Sequence, residues 1–526
     1  MRKSITSIFS AVILAVILTL TQFSYAAPQN SGSSSSVVKI SSVLIHGGNV
    51  VITVTGNTAT DDGVYHLYAQ DPAMAGTQGK EVAVSAAGNQ AVFTVPLAKN
   101  TASSMLYKKF TVVGVKGGVL TDLSNDMYIT NPEATATHTQ TRNDSGKKGL
   151  LPAAQMIRDT KTLKAMGVKK ITYNLPVGDM VSGGGISYTY NGKTYSFNSG
   201  VVGQYDVIVP AMNAAGIQVN LIVLCGANSG ALIHPLSRGV AANYYMFNTV
   251  DQSALEQLEA VASFLGERYS GTGHGTVDNW IIGNEVNARN EWNYINPTVQ
   301  LSGFAKAYAD ELRIFYNGIK AQNANARIYA STDQEWQSDN AALHYGSREF
   351  LTQFNAQIVS EGNIDWSLAN HPYNFPLYEP NTLIAKPQVT HAQSTRYLTI
   401  TNIDVLTDFM CQPAFLNPAG QVRSIELSEI GFTSSAAVGS NEQLQAADIV
   451  YAIAQANANQ HIDGIIINRQ LADASEIAQG LDYGLLNMNG SPKLAYNWYM
   501  TAESPNTIAA ASAVFGTDIR SRLTVR

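Results

Sequence analysis

Apolar and polar residues alternate along the first part of this chain and run in blocks along the rest. From residue 37 to 132 the apolar stretches are short and bounded by Gly, Asn and Asp: 50–54, 64–68, 82–84, 91–95 and 110–115. A period of two turns one face of a strand to a core and the other to solvent. Five or more such strands with no helical period predict a small β-sandwich. No Trp lies in this segment, which favours a spacer or packing partner over a glycan-binding module. From about residue 134 the rhythm becomes strand, loop, helix. Continuous apolar runs at 171–175, 219–224, 280–285, 327–331, 364–368, 422–429 and 464–468 alternate with helical stretches such as 153–166 and 254–269. Another strand, the first, has to fall between 135 and 151. Apolar strands alternating with helices form a parallel sheet covered on both faces. Eight such units over residues 135–505 predict a (β/α)8 barrel, with 506–526 left as a tail. A doubly wound open sheet is the alternative, but no Gly-rich phosphate loop follows the first strand.

Composition narrows the setting. Hydrophobic residues make up 45%, enough for a core, while charged residues are only 14%, below the usual ~25%. Residues 1–26 carry Arg2 and Lys3, an apolar run over 8–20, and Ser24-Tyr25-Ala26. That is the pattern of a secretory signal, and the run is shorter than the ~20 residues of a membrane span. No later stretch is long and apolar enough to span, so a soluble, secreted, extracellular protein is expected. Residues 27–36 are Ser-rich and read as a linker. The formal charge of −6 becomes −8 once Arg2 and Lys3 are removed, and there is no basic run, so nucleic acid is a poor partner. Cys225 and Cys411 are the two cysteines, too few and too far apart for a disulfide framework. No Cys/His or HExxH pattern suggests a metal, no cofactor is implied, and no Gly-x-Ser-x-Gly elbow suggests an esterase.

Reacting groups of a barrel come from the C-terminal ends of its strands. Those ends carry Asn174, Asn228, Asn284 with Glu285 and Asn287, Asp333 with Glu335 and Trp336, His371 with Tyr373, Glu429, and Asn468 with Arg469. Glu285 and Glu429 each close an apolar strand. A carboxylate in such a place must be paired, hydrogen-bonded or protonated, and these are the conditions under which catalytic pKa values arise. One such Glu suits an ion pair, for instance with Arg469. Two of them, three strands apart, point to catalysis. By alternation Glu285 shares a face with Ile281 and Gly283, and Glu429 with Ile425 and Leu427, which sends Glu426 toward the helix layer.

The run Trp280-Ile281-Ile282-Gly283-Asn284-Glu285-Val286-Asn287 resembles the Asn-Glu pair closing the fourth strand of clan A glycoside hydrolases, which are retaining (β/α)8 enzymes. The resemblance implies that Glu285 is the acid/base and that Asn284 holds the sugar 2-hydroxyl. It implies a nucleophile at Glu429, in Ile425-Glu426-Leu427-Ser428-Glu429-Ile430-Gly431-Phe432. His371-Pro372-Tyr373 matches the His-x-Tyr of cellulase-like members, where the Tyr hydroxyl contacts the nucleophile. The likeness spans about residues 135–505. Asn174 stands where many members place an Arg, and Asn468-Arg469-Gln470 lacks the Trp that many carry after strand eight. These departures mark a divergent, bacterial-type member and leave the substrate open.

The chemistry also follows from the residues. Cleaving a glycosidic bond needs a proton donor for the leaving oxygen and a group that stabilises or captures the oxocarbenium-like centre, and two carboxylates ~5–5.5 Å apart do this with retention. The expectation is a retaining glycosidase acting on a β-linked carbohydrate. A non-catalytic carbohydrate-binding or cell-surface barrel is the alternative. Glu335 is a weaker rival for either role. Sugar faces stack on rings, and Trp292, Trp336, Tyr373 and Tyr378 are the candidates in strand-end loops, whereas Trp280, Trp366 and Trp498 are expected in cores. Asn191-Gly192 predicts a two-residue hairpin that either lids the cleft or packs on the barrel rim. His234 is expected to be structural.

Overall fold

The computed structural model describes residues 38–526 except Asn143, Ser145 and Asp339. The secretory-signal segment and the Ser-rich linker expected from sequence lie outside the described residues. Eight short strands come first: β1 (Val38–His46), β2 (Asn49–Gly56), β3 (Val64–Gln70), β4 (Lys80–Ala86), β5 (Gln90–Pro96), β6 (Lys109–Lys116), β7 (Val119–Asp122) and β8 (Met127–Tyr128). They form two antiparallel sheets, β1-β2-β5 and β4-β3-β6-β7, with β8 on β6. Strict alternation along β5 buries Ala91, Phe93 and Val95 and leaves Val92 and Thr94 outside. Val43, Ile52 and Phe93 meet Leu67, Phe110 and Val112 in the core between the sheets.

The barrel follows: β9 (Lys148–Leu150), α1 (Thr160–Ala165), β10 (Lys170–Pro176), α2 (Val177–Val181), β11 (Gly185–Tyr190), β12 (Lys193–Asn198), α3 (Ser199–Ala214), β13 (Gln218–Leu224), α4 (Gln252–Arg268), β14 (Asn279–Ile282), α5 (Leu301–Lys320), β15 (Arg327–Thr332), α6 (Ser347–Ser360), β16 (Ser367–Asn370), α7 (Asp404–Met410), β17 (Ile425–Ile430), α8 (Glu442–Ala458), β18 (Ile462–Ile467), α9 (Ala474–Ile477), α10 (Leu494–Met500) and α11 (Pro505–Phe515). Eight parallel strands close in chain order, with β9 pairing both β10 and β18. Several bounds differ from the sequence expectation. The helix expected over 153–166 is regular only in α1, and β16 starts at Ser367 because Ile364 and Trp366 pack into the core ahead of it. Residues 506–526 are not a loose tail: α11 packs on α8, Ala511 and Ile519 are buried, and Gln455 and Tyr451 of α8 bond the Thr524 and Arg522 carbonyls. No helix among the described residues is long and apolar enough to cross a membrane.

The barrel lumen has a polar base. Glu426 of β17 crosses the lumen to an ion pair with Lys170 of β10 (3.3 Å) and accepts hydrogen bonds from Asn220 of β13 and Asn279 of β14. Above this layer lie Ile222, Leu224, Ile281, Tyr329 and Ala369, so the interior is a packed plug and not a pore.

The sandwich docks on the outside of the helix layer. Tyr107 meets Ser263 of α4 (2.8 Å), Asn317 of α5 donates to the Leu106 carbonyl (2.9 Å), and Arg313 lies over the Tyr128 ring (4.7 Å). Position 318 must be glycine for this approach, since a Cβ there would sit 2.6 Å from the Tyr107 hydroxyl. The β11–β12 hairpin turns at Asn191-Gly192 with positive φ at both residues, as a type I′ turn needs. It packs beside α4, with Phe197 stacked on Phe264 (3.9 Å) and Tyr190 edge-on to Tyr107 (6.3 Å). These contacts are with the helix layer and the sandwich.

Candidate active site

Strand β14 ends at Ile282, three residues sooner than expected, and the chain turns through Gly283 and Glu285 with φ of +74° and +39°. Left-handed backbone is cheap for Gly but strained for Glu, and such strain persists where the surroundings enforce it. Here the enforcing partners are on β13 and β15. Gly283 N–H donates to the Val223 carbonyl (2.9 Å), Glu285 N–H to Ser331 Oγ (3.0 Å), and Val286 N–H to the Ser331 carbonyl (3.1 Å). Turning back at this point presents the Glu285 carboxylate at the barrel mouth, with 16% of its side chain exposed.

The second carboxylate arrives by another route. Glu426 points into the lumen, so the parity expected from alternation along β17 was the wrong way round. Pairing with β18 matches Leu427 to Ile465 and then Ile430 to Ile467, which leaves two residues on β17 opposite one on β18. The extra residue resets the alternation and brings Glu429 to the mouth, half-buried.

One tripeptide, His371-Pro372-Tyr373, just past β16, serves both carboxylates. His371 is 1% exposed and its Nδ1 lies 2.6 Å from Glu285 Oε1. Tyr373 donates its hydroxyl to Glu429 Oε1 (2.5 Å). Asn468, just past β18, donates to Tyr373 Oη (2.9 Å) and to Glu429 (3.3 Å). Burial depresses the His371 imidazolium, but the bond to Glu285 and the charges of Glu285, Glu429 and Asp333 outweigh it and raise the pKa above the ordinary value. Burial and then the charge of Glu429 push the Tyr373 phenol far up, so it stays protonated as a donor. Glu429 thus accepts hydrogen bonds from two neutral donors. Arg469 turns away to Glu476 (3.1 Å) and Asp473 (3.9 Å), so the strand-end ion pair that would make Glu429 structural is not formed.

The other expected site residues divide. Asn284 is half-buried in the turn beside Glu285, and Asn174 is exposed near the end of β10 on the face that Lys170 and Thr172 turn to the lumen. Trp292 is half-buried and meets Tyr244 (6.0 Å between rings, 31°). Tyr244 packs on the apolar layer of the lumen and feels the charge of Glu429. Together they form a wall of the mouth. Tyr244 and Asn468 were missed as site residues: no motif marks Tyr244, and Asn468 appeared only as a strand-end polar group. Trp336 is corrected: it is fully buried, bonded through Nε1 to the Gln393 carbonyl (3.1 Å) and packed edge-on to Phe409, so it cannot stack on a sugar. Tyr378 is 51% exposed. Glu335 faces His344 (3.8 Å). His234 is buried with its pKa pushed down to about 4 and caps a 3-10 turn, a structural role.

Residues 140–519 match the family of unknown function DUF5722, and the chain belongs to that family. No curated protein matches its sequence. Among solved structures it is similar to a β-D-glucuronidase of Dictyoglomus thermophilum, with 12% identity over 89% of this chain and 69% of that one and a TM-score of 0.38. It is also similar to a GH5_18 structure from Streptomyces cattleya in complex with GlcNAc (15%, 68% and 79%, TM-score 0.42). A third is the exo-β-1,4-mannosidase Op5Man5 of an Opitutaceae bacterium, strain TAV5 (14%, 70% and 60%, TM-score 0.42). The chain spans 65–69% of the length of the glucuronidases it matches.

Proposed function

We propose that this DUF5722 protein is a secreted glycoside hydrolase that cleaves a β-linked glycan with retention, with Glu285 as acid/base and Glu429 as nucleophile. The observation that carries the proposal is the pair of bonds from one tripeptide, His371 to Glu285 and Tyr373 to Glu429. In the first step the Glu285 proton passes to the glycosidic oxygen while a Glu429 oxygen attacks the anomeric carbon, giving a glycosyl-enzyme ester. In the second, Glu285 as carboxylate takes a proton from water, whose oxygen displaces Glu429. The Tyr373 and Asn468 donors orient Glu429, and His371 Nδ1 is hydrogen-bonded to Glu285. Tyr244 and Trp292 supply ring faces for a sugar.

The test is a screen of residues 27–526 against aryl β-glycosides and plant, fungal and bacterial polysaccharides, beside Glu285→Gln and Glu429→Gln. Hydrolysis abolished by both substitutions supports the assignment, and product with the substrate's anomeric configuration supports retention. Hydrolysis untouched by either moves the site elsewhere. Binding of one glycan with no turnover favours a carbohydrate-binding barrel instead. A processed N-terminus near residue 27 in the culture medium tests secretion.

A further inference from the structure

We propose that Asp333 is a positioning residue for Glu285, acting through Asn287 and through the Asn370–His371 end of β16; this rests on the assignment of Glu285 as acid/base. Asp333 follows β15 and is buried. It clamps Asn287, two residues beyond Glu285, at two points: Asn287 Nδ2 donates to Asp333 Oδ1 (2.6 Å), and Asp333 N–H donates to Asn287 Oδ1 (2.9 Å). Asp333 Oδ1 also accepts from Glu335 N–H (2.8 Å), and the Asp333 carbonyl accepts from Asn370 Nδ2 (2.9 Å). The preceding residue takes the His371 N–H on its carbonyl (3.1 Å), and Ser331 takes the Glu285 N–H. One end of β15 therefore holds both the strained turn that carries Glu285 and the histidine bonded to it. The turn with φ of +39° at Glu285 is held on its near side by Ser331 and Val223 and on its far side, at Asn287, by Asp333, so cutting the clamp loosens one of its two anchors.

The groups facing the Asp333 carboxyl are Glu285 from the turn after β14, Glu335 from its own loop and His371 from just past β16. Burial and then the charge of Glu285 push its pKa up to about 8. Its ionisation, delayed in this way, places a negative charge beside Glu285 and His371.

The test compares kcat/KM, which reports glycosylation, for an aryl glycoside with a poor leaving group and one with a dinitrophenolate leaving group that needs no acid. Asp333→Ala and Asn287→Ala are expected to slow the first about 10- to 100-fold and the second less than about threefold. Asp333→Asn, which keeps the acceptor, is expected to restore most of the rate and to move the alkaline limb of the pH profile. Equal losses on both substrates, or none on the first, overturn the proposal. If Asp333→Ala does not fold, Asn287→Ala carries the same comparison. A wild-type protein inert toward both substrates overturns the glycosidase reading, and this inference with it; an active wild type with equal losses overturns this inference alone.

Discussion

Glu426 and Glu429 stand three residues apart on β17, and the barrel gives them opposite surroundings. Glu426 is sealed in the base, with a cation and two amide donors around it, and it and Lys170 are each 1% exposed. Glu429 is half-open at the mouth, where it accepts from a phenol and an amide. Every oxygen of Glu426 is committed, so it can hold strands together but cannot reach a reacting atom. Glu429 opens toward the mouth, where the proposed reaction needs a carboxylate that can reach a carbon. One strand shows that residue type and position do not decide the role; the donors around each oxygen do.

The largest expected effect separates the two as chemistry against stability. Glu285→Gln is expected to lower hydrolysis about 10²- to 10⁴-fold, and Glu429→Gln at least as much, with melting temperatures close to wild type. Lys170→Met should do the reverse. It leaves Glu426 buried without its cation, a loss of about 3–5 kcal/mol, read by urea or thermal unfolding, while the folded fraction keeps its specific activity. Replacing both partners, Lys170→Met with Glu426→Leu, should recover most of that stability. Unchanged stability in Lys170→Met would break the contrast.

Much of this contrast was legible in the sequence, but not all of it. The barrel was legible because its strands are continuously apolar, and Glu285, His371-Pro372-Tyr373 and Glu429, singled out because each closes or follows such a strand, are brought together at its mouth. The side of β17 that faces the lumen was not legible. Alternation fixes parity only while the ladder is regular, and the extra residue near Ser428 and Glu429 leaves no mark in the residue pattern. Trp336 was misplaced for a related reason: a ring in a strand-end loop can fold into the core as well as over a cleft, and its environment comes from Phe409 and Gln393, far along the chain. Tyr244 reaches the mouth through a loop after β13 whose path is set by bonds to residues 291–294, a pairing that no local pattern announces.

A smaller effect sharpens the account of Glu429. Tyr373→Phe removes one of its two donors and leaves Asn468 at 3.3 Å. The expected loss in kcat/KM is about 10²-fold, with stability changed by about 1 kcal/mol, because the ring keeps its stacking on Tyr483. Asn468→Ala should cost less, since it acts on Glu429 at longer range and on Tyr373 at second hand. A Tyr373→Phe protein as active as wild type would mean that the phenol is packing rather than part of the charge arrangement.

The smallest effect is expected from the ion pair that sits at the mouth. Arg469 and Glu476 are 3.1 Å apart, the same chemistry as Lys170 and Glu426, but 27% and 23% exposed. Both partners are partly exposed, so Arg469→Ala should cost no more than about 1 kcal/mol, several-fold less than Lys170→Met. Burial already raises the Glu476 carboxyl, so on losing Arg469 it can take up a proton instead of remaining as an unpaired charge, which limits the cost further. Arg469 lies beside Asn468 in the chain but does not touch Glu429, so kcat/KM should shift no more than a few-fold. Paired melts and rates for Arg469→Ala and Lys170→Met check this directly. Equal stability losses would show that burial is not what distinguishes base from mouth, and a collapse of activity in Arg469→Ala would return Arg469 to the catalytic charge balance.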